Sequence, residues 1–294
     1  MALSVSNLPQ QALSRRQFLQ LAALAAGGGL IGYAGLWDRH HLVVHHQTIR
    51  IRRLPDAFHG LRITQISDIH FEEFSEPYFI REMVQKVNQL NSDIVVLTGD
   101  FVTDGPLPRH IGARFSYPCA EILSGIRCPV RIASLGNHDF EVGWQTVADA
   151  LKLHNIPALV NSYMPYERDG SRLWFSGTSS AIASSPDLDS ALPPKPAPNE
   201  PIILLAHEPD FANQVARRNQ VDLMLSGHTH GGQVRLPLLG TPRKMLPQGG
   251  RIFVEGYFTI GSLQLYVNRG IGTVKLPIRF RCPPEITQLT LIPA

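Results

Sequence analysis

Apolar and polar positions along the chain follow a pattern that predicts an α/β fold. Short, fully apolar runs are typical of strands buried on both faces, and apolar residues at helical spacing predict helices over 78–90, 144–154 and near 211–219. A Pro- and Ser-rich stretch over 184–201 is predicted to be an exposed loop. Strands and helices alternate first and hairpins follow, which predicts one α/β domain with mixed sheets. The predicted strands are 61–66, 93–98, 130–135, 158–160, 173–176, 202–206, 221–226 and 287–292.

The N-terminal residues have the pattern of a targeting segment. Arg15 and Arg16 stand directly before an apolar run over 18–37 that carries no charge, and the order Ser-Arg-Arg-x-Phe-Leu resembles a twin-arginine export signal. The alternative is an ordinary membrane anchor, because about 20 apolar residues in a helix cover the roughly 30 Å hydrocarbon core of a bilayer. Residues 1–37 are therefore predicted to be a twin-arginine-type signal or an N-terminal membrane anchor.

This segment also predicts where the protein works. A twin-arginine signal implies the twin-arginine export machinery as a partner. The exported chain is then either held at the membrane, facing the periplasm or the outside, or secreted if the signal is cleaved. The best cleavage site, Gly32-Tyr33-Ala34, matches the small-x-small pattern imperfectly, so both outcomes stay open.

Composition excludes several classes of protein. The chain has 294 residues, of which 44% are hydrophobic and 17% are charged, so it is neither disordered nor a coiled coil over its length. The net charge of +3 includes the two arginines of the N-terminal segment, so charge predicts no nucleic-acid-binding surface. Twelve histidines against three cysteines favour nitrogen and oxygen ligands for any metal.

The three cysteines allow two interpretations. In an oxidising compartment Cys119 and Cys128 could close a short disulfide loop while Cys282 stays free. Alternatively, all three are small buried hydrophobic residues.

Small polar blocks follow the predicted strands at the point where each strand ends. Singly, each block has an ordinary explanation, such as an Asp that caps a turn or a histidine on the surface. Because ligands bind at the carboxyl ends of parallel strands, five such blocks are expected to converge on one site. The blocks are Asp68-x-His70, Gly99-Asp100, Gly136-Asn137-His138-Asp139, His207 and Gly227-His228-Thr229-His230.

This ordered set resembles the signature of the calcineurin-like metallophosphoesterase superfamily, which runs D-x-H, G-D, G-N-H-[DE], H and G-H-x-H. The flanking segments over 54–61, 227–240 and 266–280 resemble its YkuE- and YaeI-like branch of exported phosphodiesterases. The resemblance implies a sandwich of two mixed β-sheets flanked by helices, with the metal site at the carboxyl-terminal edges of the strands. The catalytic domain would span residues 38–294. His59 and Glu208 depart from the branch pattern and put the substrate preference in doubt.

The resemblance also assigns roles to the polar blocks. One metal would be bound by Asp68, His70 and His230, the other by Asn137, His207 and His228, and Asp100 would bridge both. Carboxylates, imidazoles and one amide oxygen suit two divalent ions such as Mn, Fe or Zn. A hydroxide that bridges the metals would attack the phosphodiester. His138 would act as general acid or phosphate donor, and Asp139 would orient its ring.

The predicted function is therefore hydrolysis of phosphodiesters in the cell envelope by a binuclear metal centre. One alternative is a lipid-linked pyrophosphatase such as UDP-2,3-diacylglucosamine hydrolase. A second is a metal-binding envelope protein without catalysis, but a protein that only binds has no need of an acid such as His138 beside its metals. Basic residues and histidines over 39–53 predict either a solvated strand face or contact with anionic membrane lipid.

Overall fold

Two β-sheets lie face to face in the protein, as described by a computed structural model over residues 14–73, 75–105 and 109–294, with the side chains of 109, 110 and 245 excepted. The first 13 residues of the predicted targeting segment lie outside this description. The strands are β1 Val43–Ile51, β2 Arg62–Ile66, β3 Ile94–Thr98, β4 Val130–Ser134, β5 Ser162–Arg168, β6 Ser171–Gly177, β7 Ile202–Leu205, β8 Leu223–Ser226, β9 Gly256–Ile260, β10 Leu263–Val267 and β11 Glu285–Pro293.

Both sheets are mixed. The first sheet has the order β1-β11-β2-β3-β4, in which β2, β3 and β4 are parallel and β11 is antiparallel to β2 but parallel to β1. The second sheet has the order β5-β6-β7-β8-β10-β9, with parallel strands from β6 to β10 and an antiparallel strand at each edge. The predicted α/β sandwich of two mixed sheets flanked by helices is thus confirmed.

Helices cover the outer face of each sheet. Successive strand residues point to opposite faces, so Val96 of β3 faces the second sheet while Val95 and Leu97 face helices. Buried residues of α2, α4 and α6 pack on the outer face of the first sheet, and those of α7 and α8 on the second. The helices are α1 Arg15–Gly32, α2 Pro77–Gln89, α3 Arg109–Ala113, α4 Ser116–Leu123, α5 Asn137–Val142, α6 Trp144–Lys152, α7 Leu188–Ala191 and α8 Ala212–Ala216.

Several predicted elements differ from the structure. The strand expected over 158–160 is a single bridge between Ala158 and Ala133 of β4, and the next strand along the chain is β5, at one edge of the second sheet. The loop over 184–201 contains α7, which is held by the buried Leu188 and Ala191. The helix expected near 211–219 is shorter, because a 3₁₀ turn over Pro209–Phe211 precedes α8.

Helix α1 projects away from the sandwich. Its residues are not buried, and Ser14 and Gln17 form a capping box at its start. The helix continues as a π-helical turn over Tyr33–Trp37, and the 23 residues Arg15–Trp37 are long and apolar enough to cross a membrane, with a mean hydropathy of 1.4. One N-terminal apolar helix of this kind is consistent with either a signal or an anchor.

Candidate metal centre

The polar blocks predicted from the sequence lie together at the carboxyl ends of the parallel strands. Asp68 and His70 follow β2, Asp100 follows β3, and Asn137 follows β4 in the first sheet. His207 follows β7 in the second sheet, where His228 and His230 follow β8. All are buried except Asn137, which is half-buried. Both sheets therefore contribute side chains to one site.

Asp68, His70 and His230 form the first cluster of metal-competent atoms. Asp68 Oδ1 is 3.4 Å from His230 Nε2 and 3.9 Å from His70 Nε2, and the two Nε2 atoms are 3.1 Å apart. These ligand atoms all lie within 4.8 Å of one another. Two nitrogens and a carboxylate oxygen that face each other at this spacing form a set that could hold a divalent ion.

Asp100, His207 and His228 form the second cluster. Asp100 Oδ2 is 2.9 Å from His207 Nε2 and also 3.6 Å from His70 Nε2, so this carboxylate lies between the two clusters. The Oδ1 atom of Asn137 is buried and has no hydrogen-bond partner among the described residues. An unpartnered buried oxygen is costly unless an additional group binds it, which fits a metal ligand.

Backbone contacts set which ring nitrogen is free in two of the histidines. His207 Nδ1 donates to the Thr98 carbonyl at 2.6 Å, so Nε2 is free to face Asp100. His228 Nε2 donates to the Gln248 carbonyl at 2.7 Å, which leaves Nδ1 for a ligand. Such hydrogen bonds orient metal-binding imidazoles and select their tautomer.

The backbone around the site is compressed and strained. A Cβ atom at Gly136 would lie 2.2 Å from Asp100 Oδ1, and one at Gly227 would lie 2.2 Å from Asp68 Oδ2, so neither position has room for a side chain. Left-handed φ angles are uncommon for residues other than glycine, and their strain concentrates at functional sites. Five of the predicted ligands have such angles, namely Asp68, His70, Asp100, His228 and His230.

Burial and charge fix the protonation of the clustered histidines. Burial lowers the pKa of His70 to about 3 and the pKa of His230 well below its usual value, so both rings are neutral and able to bind a metal. Burial also opposes a charge on His207, but the Asp100 carboxylate raises the pKa of His207 well above its usual range. A metal that binds His207 would therefore displace a proton.

His138 lies beside the two clusters and contacts Asp104. Its backbone N–H donates to Asp100 Oδ1 at 2.9 Å, its ring is edge-on to that of His70 at 4.8 Å, and its Nδ1 is hydrogen-bonded to the Asp104 carboxylate. Burial opposes protonation, but Asp100 and Asp104 together raise the pKa of His138 to about 9. Asp104 was not predicted from the sequence, although it lies only four residues after Asp100.

The predicted role of Asp139 is wrong. Its carboxylate does not bind the His138 ring but accepts four backbone N–H groups, from Asp100 at 2.8 Å, Phe101 at 2.9 Å, Val102 at 3.3 Å and Gly136 at 2.9 Å. Asp139 therefore joins the loop after β3 to the loop after β4. It positions the backbone of Asp100, while Asp104 orients His138.

A cavity of about 610 Å³ opens over the clusters. Asp100, Asn137, His138, His228 and His230 line its floor. Its walls combine the cations Lys244, Arg251 and Lys275 with the apolar residues Leu246, Val274, Leu276 and Ile278. Cations in a concave site attract an anionic ligand, and apolar walls accept a hydrophobic group next to it.

A site of this kind is typical of metal-dependent phosphoesterases. The model of the calcineurin-like phosphoesterase family matches residues 61–232, and the chain belongs to this family. It is accordingly a hydrolase, and enzymes of this family use a dinuclear divalent metal centre. The resemblance seen in the sequence is thereby confirmed.

Individual relatives match over most of the chain. It is 33% identical over 288 residues to the uncharacterized metallophosphoesterase YkuE of Bacillus subtilis, covering 95% of this chain and 98% of that protein. It is 30% identical over 287 residues to the phosphodiesterase YaeI of Escherichia coli, covering 95% of this chain and 100% of that protein. It is 28% identical to the UDP-2,3-diacylglucosamine pyrophosphatase LpxG of Chlamydia trachomatis, covering 85% of this chain and 91% of that protein.

Proposed function

We propose that the protein is a phosphodiesterase of the cell envelope whose catalytic domain, residues 38–294, holds two divalent metal ions. The main support for this proposal is the position of Asp100, because its carboxylate lies within 4 Å of ring nitrogens from both clusters. Asp68, His70 and His230 would bind one ion, and Asn137, His207 and His228 the other, with Asp100 shared. The donor set suits Mn, Fe or Zn.

The residues around the clusters support hydrolysis of a phosphate ester. When bound, two divalent ions supply positive charge to a phosphate and activate water for attack on phosphorus. With Nδ1 held by Asp104, His138 carries its transferable proton on Nε2, where it can protonate the leaving oxygen. Lys244, Arg251 and Lys275 add positive charge to the cavity that would receive the anionic ester.

The metal content of the protein tests whether the Asp100 carboxylate is shared by two ions. Elemental analysis of metal-replete, folded protein is expected to give two ions per chain. Asp100→Ala is expected to lower occupancy of both sites, whereas His70→Ala lowers mainly one. His59→Ala is the matched control, because His59 is exposed and outside both clusters. A single ion in the folded wild-type protein, or retention of both in Asp100→Ala, contradicts the shared arrangement.

The proposed location rests on the N-terminal segment. Helix α1 leaves the catalytic domain with no buried residue and is long enough to cross a bilayer. The arginine pair at its start fits a twin-arginine signal, so the enzyme would be exported and then anchored or released. The expected substrate is a phosphodiester outside the cytoplasm.

A lipid-linked pyrophosphate is the second candidate substrate. The apolar cavity wall of Leu246, Val274, Leu276 and Ile278 favours it, as does similarity to a relative named as a UDP-2,3-diacylglucosamine pyrophosphatase. The test compares kcat/KM for a lipid-linked pyrophosphate with that for a water-soluble diester. A higher value for the lipid supports the pyrophosphatase, and a higher value for the soluble diester supports the general phosphodiesterase.

A further inference from the structure

The base of α1 is bound to the wall of the catalytic cavity. The ring of Tyr33 is edge-on to that of Phe280 at 5.8 Å, and the Arg279 N–H donates to the Ala34 carbonyl at 3.0 Å. Asp38 then accepts the Cys282 N–H at 3.1 Å. The segment over 276–282, which includes two residues of the cavity wall, is thus fixed next to the point where the apolar helix ends.

A second segment, over 233–240, pairs with the first. The Arg235 N–H donates to the Phe280 carbonyl and the Phe280 N–H donates to the Gln233 carbonyl, both at 2.9 Å. The Gln233 side chain also donates to the Leu276 carbonyl at 3.0 Å. The turn that ends at Gly240 is therefore connected through Phe280 to the base of α1.

Large apolar side chains are exposed on these paired segments. Leu238 is fully exposed at 106%, Leu239 is 77% exposed and Leu276 is 59% exposed. Leu238 also has a left-handed φ of 65°, so the turn presents it to solvent at some conformational cost. Neighbouring exposed leucines at a strained tip are typical of a surface that contacts a partner or a membrane.

The same region is positively charged. Neither 233–254 nor 270–284 contains an acidic residue. We call the surface of these two segments the basic rim. Five cations on it are exposed, namely Arg243, Lys244, Arg251, Lys275 and Arg281. A surface that combines exposed leucines with exposed cations fits an anionic bilayer.

The stretch over 39–53, predicted as an alternative site for anionic lipid, is less suited to this role. Arg39 and His40 both contact the carboxylate of Glu76, and the His45 ring contacts Arg269. These side chains are engaged within the protein. Arg50, Arg52 and Arg53 of the stretch are exposed, but none of them lines the cavity over the metal clusters, and Arg52 and Arg53 line a separate cavity together with Glu200 and Asp222. Cations of the basic rim, by contrast, line the cavity over the metal clusters itself.

We propose that the basic rim docks on a bilayer that contains anionic lipid, with Leu238 and Leu239 inserted below the headgroups. Because the exposed residues Lys244, Arg251, Lys275 and Leu276 belong to both the rim and the cavity wall, docking places the cavity opening against the headgroup layer. The inference rests on the proposed export to the cell envelope and takes the anchored form of the enzyme, in which α1 is retained. The helix tethers the enzyme, and the rim orients it.

A fluorescent probe on the turn tests the docking. The full-length chain carries Leu238→Cys in a Cys128→Ser background, because Cys119 and Cys282 are buried, and is labelled with an environment-sensitive dye. It is reconstituted in vesicles of phosphatidylcholine with or without phosphatidylglycerol. In anionic vesicles the emission is expected to shift to the blue and to be quenched by lipid-borne quenchers. The matched control is Leu153→Cys, which is 69% exposed and follows α6, at the end of the domain away from the metal site.

Charge variants test the electrostatic part. Arg243→Gln and Arg281→Gln remove cations that do not line the cavity. Each is expected to lower the ratio of docked to undocked probe by about fivefold, as for a cation near an anionic surface. Arg217→Gln, an exposed cation at the end of α8, is expected to leave the ratio unchanged.

The outcomes separate the inference from the proposed function. The docking proposal is overturned if the dye at position 238 has the same emission as in water in both kinds of vesicle. It is also overturned if the emission and quenching of this dye match those of the dye at position 153. Hydrolysis of a soluble diester by the same preparation is an independent readout of the phosphodiesterase. If the probe docks but the diester is not hydrolysed, the proposed function is contradicted and docking by the basic rim is supported. If the diester is hydrolysed but the probe does not dock, the proposed function is supported and docking is overturned.

Discussion

The imidazole of His138 is hydrogen-bonded to the carboxylate of Asp104, whereas its chain neighbour Asp139 accepts hydrogen bonds from backbone amides of the two loops. The two carboxylates therefore have different tasks. Asp104 is half-buried and holds a ring that can transfer a proton. Asp139 is buried and holds the loop that presents Asp100 to both clusters.

His138→Ala is expected to retain the fold and the metals but to lose turnover. General acid catalysis contributes about 10²–10⁴-fold, so kcat should fall by about that factor for a diester with a poor leaving group. The fall should be smaller for a nitrophenyl ester, whose leaving group needs no proton. Steady-state rates with both substrates and elemental analysis check this. Loss of metal in the variant would instead make His138 a ligand.

Asp104→Asn is expected to change the pH dependence of the activity. The carboxylate raises the pKa of His138, so its removal lowers that pKa, and the loss of activity at high pH should begin at a lower pH. The direction follows because the protonated imidazole is present only below its pKa. The pH profile of kcat measures the shift. Asp169→Asn, an exposed carboxylate, serves as the control, and an unshifted profile in Asp104→Asn contradicts the role.

Asp139→Asn is expected to destabilise the fold itself. The asparagine amide would face backbone N–H groups that now donate to a carboxylate oxygen, and each buried donor left without an acceptor costs about 1–3 kcal/mol. With two donors per oxygen, the free energy of unfolding should fall by about 2–6 kcal/mol. Urea unfolding of metal-free protein measures this without the metal contribution. Unchanged stability would mean that the backbone amides find other acceptors.

The sequence predicted the site better than the roles within it. The ligand blocks could be recognised because each follows an apolar strand, and the carboxyl ends of parallel strands must meet. The resemblance assigned to Asp139 the task of orienting the His138 ring, but consecutive residues of a helix point in different directions, and both residues lie on α5. Asp104 follows β3 in an irregular segment whose path no periodic pattern encodes.

The strands with the least regular patterns were the hardest to predict. β5 lies at an edge of the second sheet, where it alternates half-buried and exposed residues and contains a proline. An edge strand tolerates such residues because one side of it makes no ladder hydrogen bonds. β1 is likewise an edge strand, and its polar residues were equally compatible with lipid contact.

The cysteines are expected to be free thiols of unequal reactivity. All three are unpaired in the structure, Cys119 and Cys282 are buried, and burial raises the pKa of the Cys119 thiol. Only the half-buried Cys128 should react readily with a thiol reagent in the folded protein, and all three should react after unfolding. Thiol titration with and without denaturant checks this. A count of one thiol in denatured, unreduced protein would indicate the disulfide that the sequence left open.

Export is expected to depend on the arginine pair. Replacing Arg15 and Arg16 by lysine keeps the charge but removes the paired guanidinium groups that a twin-arginine receptor reads. The variant should accumulate inside the cell as folded, active enzyme. Cell fractionation followed by an activity assay measures this, with Arg217→Lys as the control. Normal export of the lysine variant would point to the general secretory route.

The central position of β11 has a consequence for how the chain acquires its structure. β11 lies between β1 and β2, and β1 pairs with no other strand of its sheet. β1, the strand that follows α1 and its π-helical turn, therefore has no strand to pair with until its partner is synthesised about 240 residues later. Until residues 285–293 leave the ribosome, β2 keeps an open edge that invites wrong pairing. Nascent chains arrested before residue 285 should accordingly be sensitive to protease and to aggregation, even though every predicted metal ligand is already present.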